Sequence, residues 1–258
     1  MVEPVEDESQ NISDMVSNAF IEFMYRREEL SSFVGFYNKL VGLAVKPKDA
    51  PLDESLRKEF YGQQIFFMEN YLCKMSDYFD IYIDQLVFAV CRVKEDFLKA
   101  RDYQKANSKL QQLGLTEILP IEVQYEAAFN FGRKDKTEIA TYFKNEISFD
   151  LVAAAKNWDA VLLSSRIRNL IVHKSSVVDL RFYEYAKEKN LPFDFEVGSY
   201  LTMPQEWVVD LCGRVNDCVP AIDAAISEKV EIYKRNRYGH FWFPRSGWAT
   251  EANEARNE

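Results

Sequence analysis

From about Leu56 to Arg101, apolar side chains return every three or four residues, with one glycine, Gly62, and no proline in the way. Phe60, Ile65, Met68, Leu72, Met75, Phe79, Ile83, Leu86, Val90, Val93 and Phe97 all fall on this period. Such spacing belongs to a long helix buried along one side, not to a strand. A helix of this kind can be covered only by other long elements, and the supply of turn residues says which. Nine Gly and eight Pro in 258 residues are too few for a sandwich or barrel of many short strands. The chain is expected to be all-α, an up-and-down bundle of long helices.

The flanking segments agree. Met15, Val16, Ala19, Phe20, Phe23, Met24 and Leu30 set a helical period behind Ser13, a plausible N-cap. That run continues through Phe33, Tyr37 and Leu40 and breaks at Lys46-Pro47-Lys48-Asp49-Ala50-Pro51. Short helices are expected at 104–113, ended by Gly114, at 121–131 and at 137–146. A helix from Phe149 to about Lys174 carries Leu151, Val152, Ala155, Trp158, Leu162 and Leu163 toward the core. Residues 175–179 read as a loop and 181–189 as a short helix. Alternation of Phe193, Phe195 and Val197 between Pro192 and Pro204 predicts a small hairpin or an extended loop. A last helix should run from Gln205 to about Arg237. The domain plan is an acidic disordered lead (1–12), one helical domain (13–237) and an aromatic, then polar, tail (238–258).

A formal net charge of -9 argues against sequence-independent coating of nucleic acid, although it leaves room for a local basic site. Cys73, Cys91, Cys212 and Cys218 include no Cys-x-x-Cys pair and no histidine at zinc spacing. On one continuous helix Cys73 and Cys91 would stand about 27 Å apart, too far for a bridge. Reduced, buried thiols are expected. No signal peptide precedes the first helix, and no apolar run is long enough to span a bilayer, so a cytoplasmic location without membrane contact is expected.

One short segment carries chemistry. Arg168-Asn169-Leu170-Ile171-Val172-His173 places a guanidinium five residues before one of only two histidines. An Arg can hold and neutralise a phosphate, and a His can move a proton near neutral pH. Arg235-Asn236-Arg237-Tyr238-Gly239-His240 repeats the pattern but contains glycine and runs into Phe241-Trp242-Phe243-Pro244, where a helix should end. The first copy continues an apolar helix, which positions groups better than a terminal loop. Around a straight helix, Arg168 and His173 lie about 140° apart, so one helix face cannot easily aim both at one phosphate. Asn169 and His173 are neighbours at i and i+4 and could share a hydrogen bond.

Ile167-Arg168-Asn169-Leu170-Ile171-Val172-His173, with Val177-Val178-Asp179-Leu180-Arg181-Phe182 after it, resembles the HEPN superfamily, in particular its RiboL-PSP type. There an Arg-to-His motif precedes a Gly-Val-Val-Asp-like stretch; Ser176 stands here in place of that glycine. The resemblance implies a HEPN-like helical bundle with Arg168 and His173 as catalytic residues and Asn169 as supporting polar residue. It also implies a homodimer whose two motifs meet at one cleft. The implied activity is RNA cleavage by 2′-OH transesterification without metal or other cofactor, in a toxin or phage-defence setting with an antitoxin or partner protein. The alternative of the same type is a non-catalytic helical module that binds a partner protein or a nucleotide.

Ser164, Arg166 and Lys174 flank the motif as candidate RNA contacts. A purely structural role is the competing expectation: Arg168 paired with Asp159, Asp179 or another acid, and His173 at a helix C-terminus, where positive charge is favoured. Lys234, Arg235, Arg237, Tyr238, Phe241, Trp242, Phe243 and Arg245 interleave bases with aromatics, as RNA-stacking surfaces and self-docking tails both do. The Glu54/Glu59 and Asp77/Asp80/Asp84 sets read as wet helix faces. The chain has no Gly-x-x-x-x-Gly-Lys-Ser/Thr, Gly-x-Gly-x-x-Gly, His-Glu-x-x-His or Gly-x-Ser-x-Gly. Nucleotide hydrolase, dehydrogenase, zinc protease and serine hydrolase readings therefore have nothing to stand on.

Overall fold

The computed structural model describes residues 18–44, 54–94, 96–115 and 117–230. Among these the protein is a helical bundle: α1 (Asn18–Ala44), α2 (Glu54–Val93), α3 (Ala100–Gln112), α4 (Pro120–Gly132), α5 (Lys136–Ile147), α6 (Leu151–Ala155), α7 (Trp158–Lys174), α8 (Leu180–Glu188) and α9 (Gln205–Val230). The all-α expectation holds, and none of these helices is long and apolar enough to cross a membrane. The expected N-cap Ser13, the break at 46–51 and the tail with its second Arg-to-His copy lie outside the described residues.

The 40-residue α2 is the axis of the bundle. Leu72, Tyr82, Ile83, Leu86, Val87, Val90 and Cys91 are wholly buried along it, with α1, α4, α7 and α9 packed around it. Burial of one such side chain contributes about 1.5–3 kcal/mol, so this row supplies much of what holds the bundle. The Tyr82 hydroxyl, buried with it, donates to the Asp223 carboxylate of α9 over 3.4 Å.

Three sequence expectations are corrected. First, α2 ends at Val93, not at Arg101: the Phe97 N–H bonds the Lys94 carbonyl in a turn, and Lys94 Nζ reaches the Glu146 carbonyl at 2.8 Å. Phe97 keeps the apolar period because it is fully buried among Phe131, Tyr142 and Phe143, not because it is helical. Second, the expected 149–174 helix is two helices. Lys156 takes a left-handed φ of 59°, which lets α6 lie on α5 and α9 while α7 lies on α2 and α9. Third, of the hairpin or extended loop expected after α8, the loop forms and the hairpin does not. Instead residues 176–178 pair with 198–201 across α8, through Leu201 N–H to the Ser176 carbonyl at 2.8 Å and Val178 N–H to the Ser199 carbonyl at 2.9 Å.

The Asp77/Asp80/Asp84 set is not uniformly wet either. Asp84 is buried where α2 meets α4, and Asp80 pairs at 2.7 Å with the buried Lys136 amine. Gly132 makes that contact possible, because a Cβ there would fall 1.8 Å from Asp84 Oδ1. Burial pushes the Asp84 carboxyl up to about 8, against the opposing pull of Lys136. All four cysteines are free, and burial pushes Cys91 up to about 12 and Cys73 and Cys218 up to about 11.

Candidate active site

α7 is amphipathic, but not at every expected core position: Val152 on α6 is exposed at 49% and Leu162 is only partly buried. Trp158, Ala160, Val161, Leu163, Ile167 and Leu170 are buried, while Arg166, Asn169, Val172, His173 and Lys174 are exposed. Its last turn carries His173 and Lys174, and the helix stops because Ser175 and Ser176 both adopt left-handed conformations, φ 50° and 63°.

Ser176 explains how this stop holds without glycine. A left-handed non-glycine residue is disfavoured by roughly 1–2 kcal/mol. The Ser176 hydroxyl, itself buried, offsets that by donating to Glu69 Oε1 on α2 at 2.5 Å. The same oxygen accepts from the Tyr200 hydroxyl at 2.8 Å. One buried carboxylate thus ties the end of α7 and the 198–201 segment to the central helix. Position 176 is left-handed, the conformation that glycine adopts most readily.

Eight residues along α2, on the same face, Asp77 holds the other end of the motif. Arg168 Nε donates to Asp77 Oδ1 at 3.2 Å, and Arg168 Nη1 donates to Asn169 Oδ1 at 3.3 Å. Glu69 facing 176 and Asp77 facing 168 make α2 and α7 antiparallel neighbours, with Cys73 between the two acids. Arg168 and Asp77 keep side-chain exposures of 30% and 35%, so the guanidinium is held by one edge and its remaining N–H groups are open. A partly exposed pair of this kind contributes less than about 1 kcal/mol. It orients the fork more than it stabilises the fold.

The expected acid partners, Asp159 and Asp179, are engaged elsewhere. Asp159 faces Lys189 at 3.5 Å, and Asp179 caps α8 by accepting from the Phe182 N–H at 2.8 Å. The Asn169 oxygen that could have fixed the imidazole is taken by Arg168. Of the flanking candidates, Lys174 is exposed beside His173. Ser164 is buried and donates to the Val161 carbonyl at 3.0 Å, so it cannot reach a phosphate. Arg166 lies over the Tyr185 ring, 4.1 Å from its centre, on the side of α7 that faces α8.

Glu69 and Tyr200 were not singled out from sequence, and Asp77 was read only as part of a wet helix face. The available signal was the four-residue step Glu69-Cys73-Asp77, which puts two acids and a thiol on one stripe of an otherwise apolar helix. No protein-family model, curated protein or solved structure matches the chain.

Proposed function

We propose that the chain is a HEPN-like endoribonuclease that cleaves RNA by 2′-OH transesterification at a site completed by a second copy. The observation that carries the reading is the end of α7, where His173 stands exposed one turn from a guanidinium braced by Asp77 with N–H groups to spare. In this mechanism His173 accepts the proton of a ribose 2′-hydroxyl or passes one to the leaving 5′-oxygen. Arg168 holds the phosphate through paired charge-assisted hydrogen bonds as negative charge builds on its oxygens. The products are a 2′,3′-cyclic phosphate and a 5′-hydroxyl.

The need for a second copy follows from helix geometry, because five residues turn Arg168 about 140° from His173. Exposed apolar side chains surround this end of the molecule: Val172 at 51%, Leu180 at 59%, Val197 at 53% and Tyr200 at 50%. They offer a face on which two copies could set one subunit's Arg168 against the other's His173. An exposed apolar face beside a polar motif is a common mark of association. A toxin or defence role with an antitoxin belongs to the same proposal.

The test is purified protein incubated with mixed RNA, with and without EDTA, followed by typing of the new ends. Cyclic-phosphate ends that persist in EDTA and vanish in His173→Ala and Arg168→Ala, with folding intact by circular dichroism, are expected. Cleavage surviving His173→Ala, or full activity from a strict monomer, would refute the mechanism. One observation favours the non-catalytic reading: Arg168 already has Asp77 and Asn169 as partners within one subunit. Intact RNA together with unimpaired partner binding in His173→Ala is the outcome that supports it.

A further inference from the structure

At the opposite end of α7 from the motif, a cavity of about 300 Å³ opens between the start of α7, the end of α8 with its following turn, and α9. Its wall includes Leu163, Tyr185 and the Trp207 indole, with Lys189, Asp159 and Arg214 as its charged groups. With Asp159 beside Lys189 and Asp210 beside Arg214, the two cations of the wall are each matched by one acid. The two cations are held by side chains that remain wet. Lys189 stands 3.5 Å from Asp159, whose side chain is 79% exposed, and Arg214 stands 2.9 Å from Asp210, which is 64% exposed. Neither pairing is strong enough to keep an incoming anion out. The Tyr185 hydroxyl is buried and finds no partner among the described residues.

We infer that this cavity binds a small monoanion bearing a flat ring, an aromatic carboxylate. The volume lies at the lower end of ligand pockets, about 300–1,000 Å³, which suits one ring system with a short acidic arm. A carboxylate arm can take the place of the wet Asp159 or Asp210 carboxylate at Lys189 or Arg214 one charge for one, which a doubly charged phosphate cannot. An Arg fork accepts a carboxylate through two parallel hydrogen bonds, and an indole offers its edge or face to a flat ring. The site stands independently of RNA cleavage: its α7 residues come from the first half of that helix, the others from α8, the turn after it and α9, and none belongs to the Arg168–His173 motif.

The experiment is isothermal titration of the full chain with indole-3-acetate, benzoate, cyclohexanecarboxylate and inorganic phosphate, paired with thermal denaturation. Saturable one-to-one binding of an aromatic carboxylate with a raised melting temperature is expected. Lys189→Gln and Arg214→Gln should each weaken it about tenfold or more, the loss expected for one charge-assisted hydrogen bond. Cyclohexanecarboxylate and phosphate should bind several-fold more weakly, and His173→Ala should bind as the parent does. Absence of saturable binding by both aromatic acids overturns the inference, as does affinity unchanged in Lys189→Gln, a surface variant that should not disturb folding. Phosphate binding as tightly as the aromatic acids overturns it too.

Discussion

Replacing Ser176 separates two effects that the native residue combines. The left-handed backbone at φ 63° disfavours any side chain by roughly 1–2 kcal/mol, and that strain stays in Ser176→Ala but leaves in Ser176→Gly. Both variants lose the hydroxyl that donates to the buried Glu69 carboxylate, a hydrogen bond to a charged group worth about 1.5–3 kcal/mol. Tyr200 stays as the second donor, so the carboxylate is weakened and not orphaned. Alanine should therefore lower stability by about 2 kcal/mol. Glycine recovers its strain term, less about 0.4–1 kcal/mol for a looser unfolded chain, and should cost about 1 kcal/mol. At about 2–4 °C per kcal/mol for a chain of this size, alanine should melt roughly 4–8 °C below the parent, with glycine between them. Urea and thermal denaturation followed by circular dichroism at 222 nm read this order directly. Alanine as stable as glycine would refute the strain at position 176, and both equal to the parent would show that the Ser176–Glu69 bond does not hold the end of α7.

Four further outcomes follow from the same coordinates. Gly132→Ala forces a Cβ to within 1.8 Å of Asp84 Oδ1 and 3.2 Å of its Cα, and should destabilise the α2–α4 contact by about 2–3 kcal/mol; Asp84→Ala in the same background should restore part of that, and additive losses would refute the clash. The Asp84 carboxyl, pushed up to about 8, keeps its proton in the folded chain while the unfolded chain has released it. Stability should therefore fall as pH rises from 5 to 8, by at most about 1.4 kcal/mol per unit, and Asp84→Asn should flatten that slope in urea titrations. Under the proposed function, Asp77→Ala should change stability by less than about 1 kcal/mol while lowering RNA cleavage, in kcat more than in KM, about tenfold or more; equal activity would mean that Asp77 does not orient the fork. Dithionitrobenzoate at pH 7.5 should label Cys73 slowly and the buried Cys91, Cys212 and Cys218 only on unfolding, because burial holds all four thiols well above their ordinary value.

The helical architecture was legible because period and composition agree: α2 alone carries enough apolar positions to demand a bundle, and few glycines or prolines interrupt it. What misled was equating apolar period with helix. Phe97 and Leu98 continue the α2 pattern, yet both are buried in a turn, where an aromatic cluster gains more from them than another helical turn would. The 153–156 run of Ala-Ala-Ala-Lys reads as strong helix, and only tertiary packing of α6 and α7 on different neighbours breaks it. The exposure of His173 was not legible: three residues after the buried Leu170, it lies only about 60° around the helix from it. Glu69 was invisible because a lone acid on an apolar stripe reads as a boundary residue. Its partners, Ser176 and Tyr200, stand 107 and 131 residues away, and no local pattern links them.

In the proposed ribonuclease Arg168 is both a structural pair and a working residue, and the geometry of α7 says how one side chain could serve as both. Burying an ion pair costs desolvation that its attraction often does not repay, and an exposed pair contributes little. The Arg168–Asp77 pair sits about one-third exposed, where its contribution to folding is small, while the costlier burial falls on Glu69 at the end of the helix. Glu69 fixes where α7 stops, and Asp77 fixes which way its guanidinium points. Together they hold both ends of the six-residue motif against one rigid helix while leaving His173 in water. A phosphate approaching Arg168 can then use N–H groups already oriented, without having to break a strong internal bond first. That division, rigid support beneath and open donors above, is what a site for a transferred proton and a charged phosphate requires. It is also why removing Asp77 should be felt in turnover more than in stability.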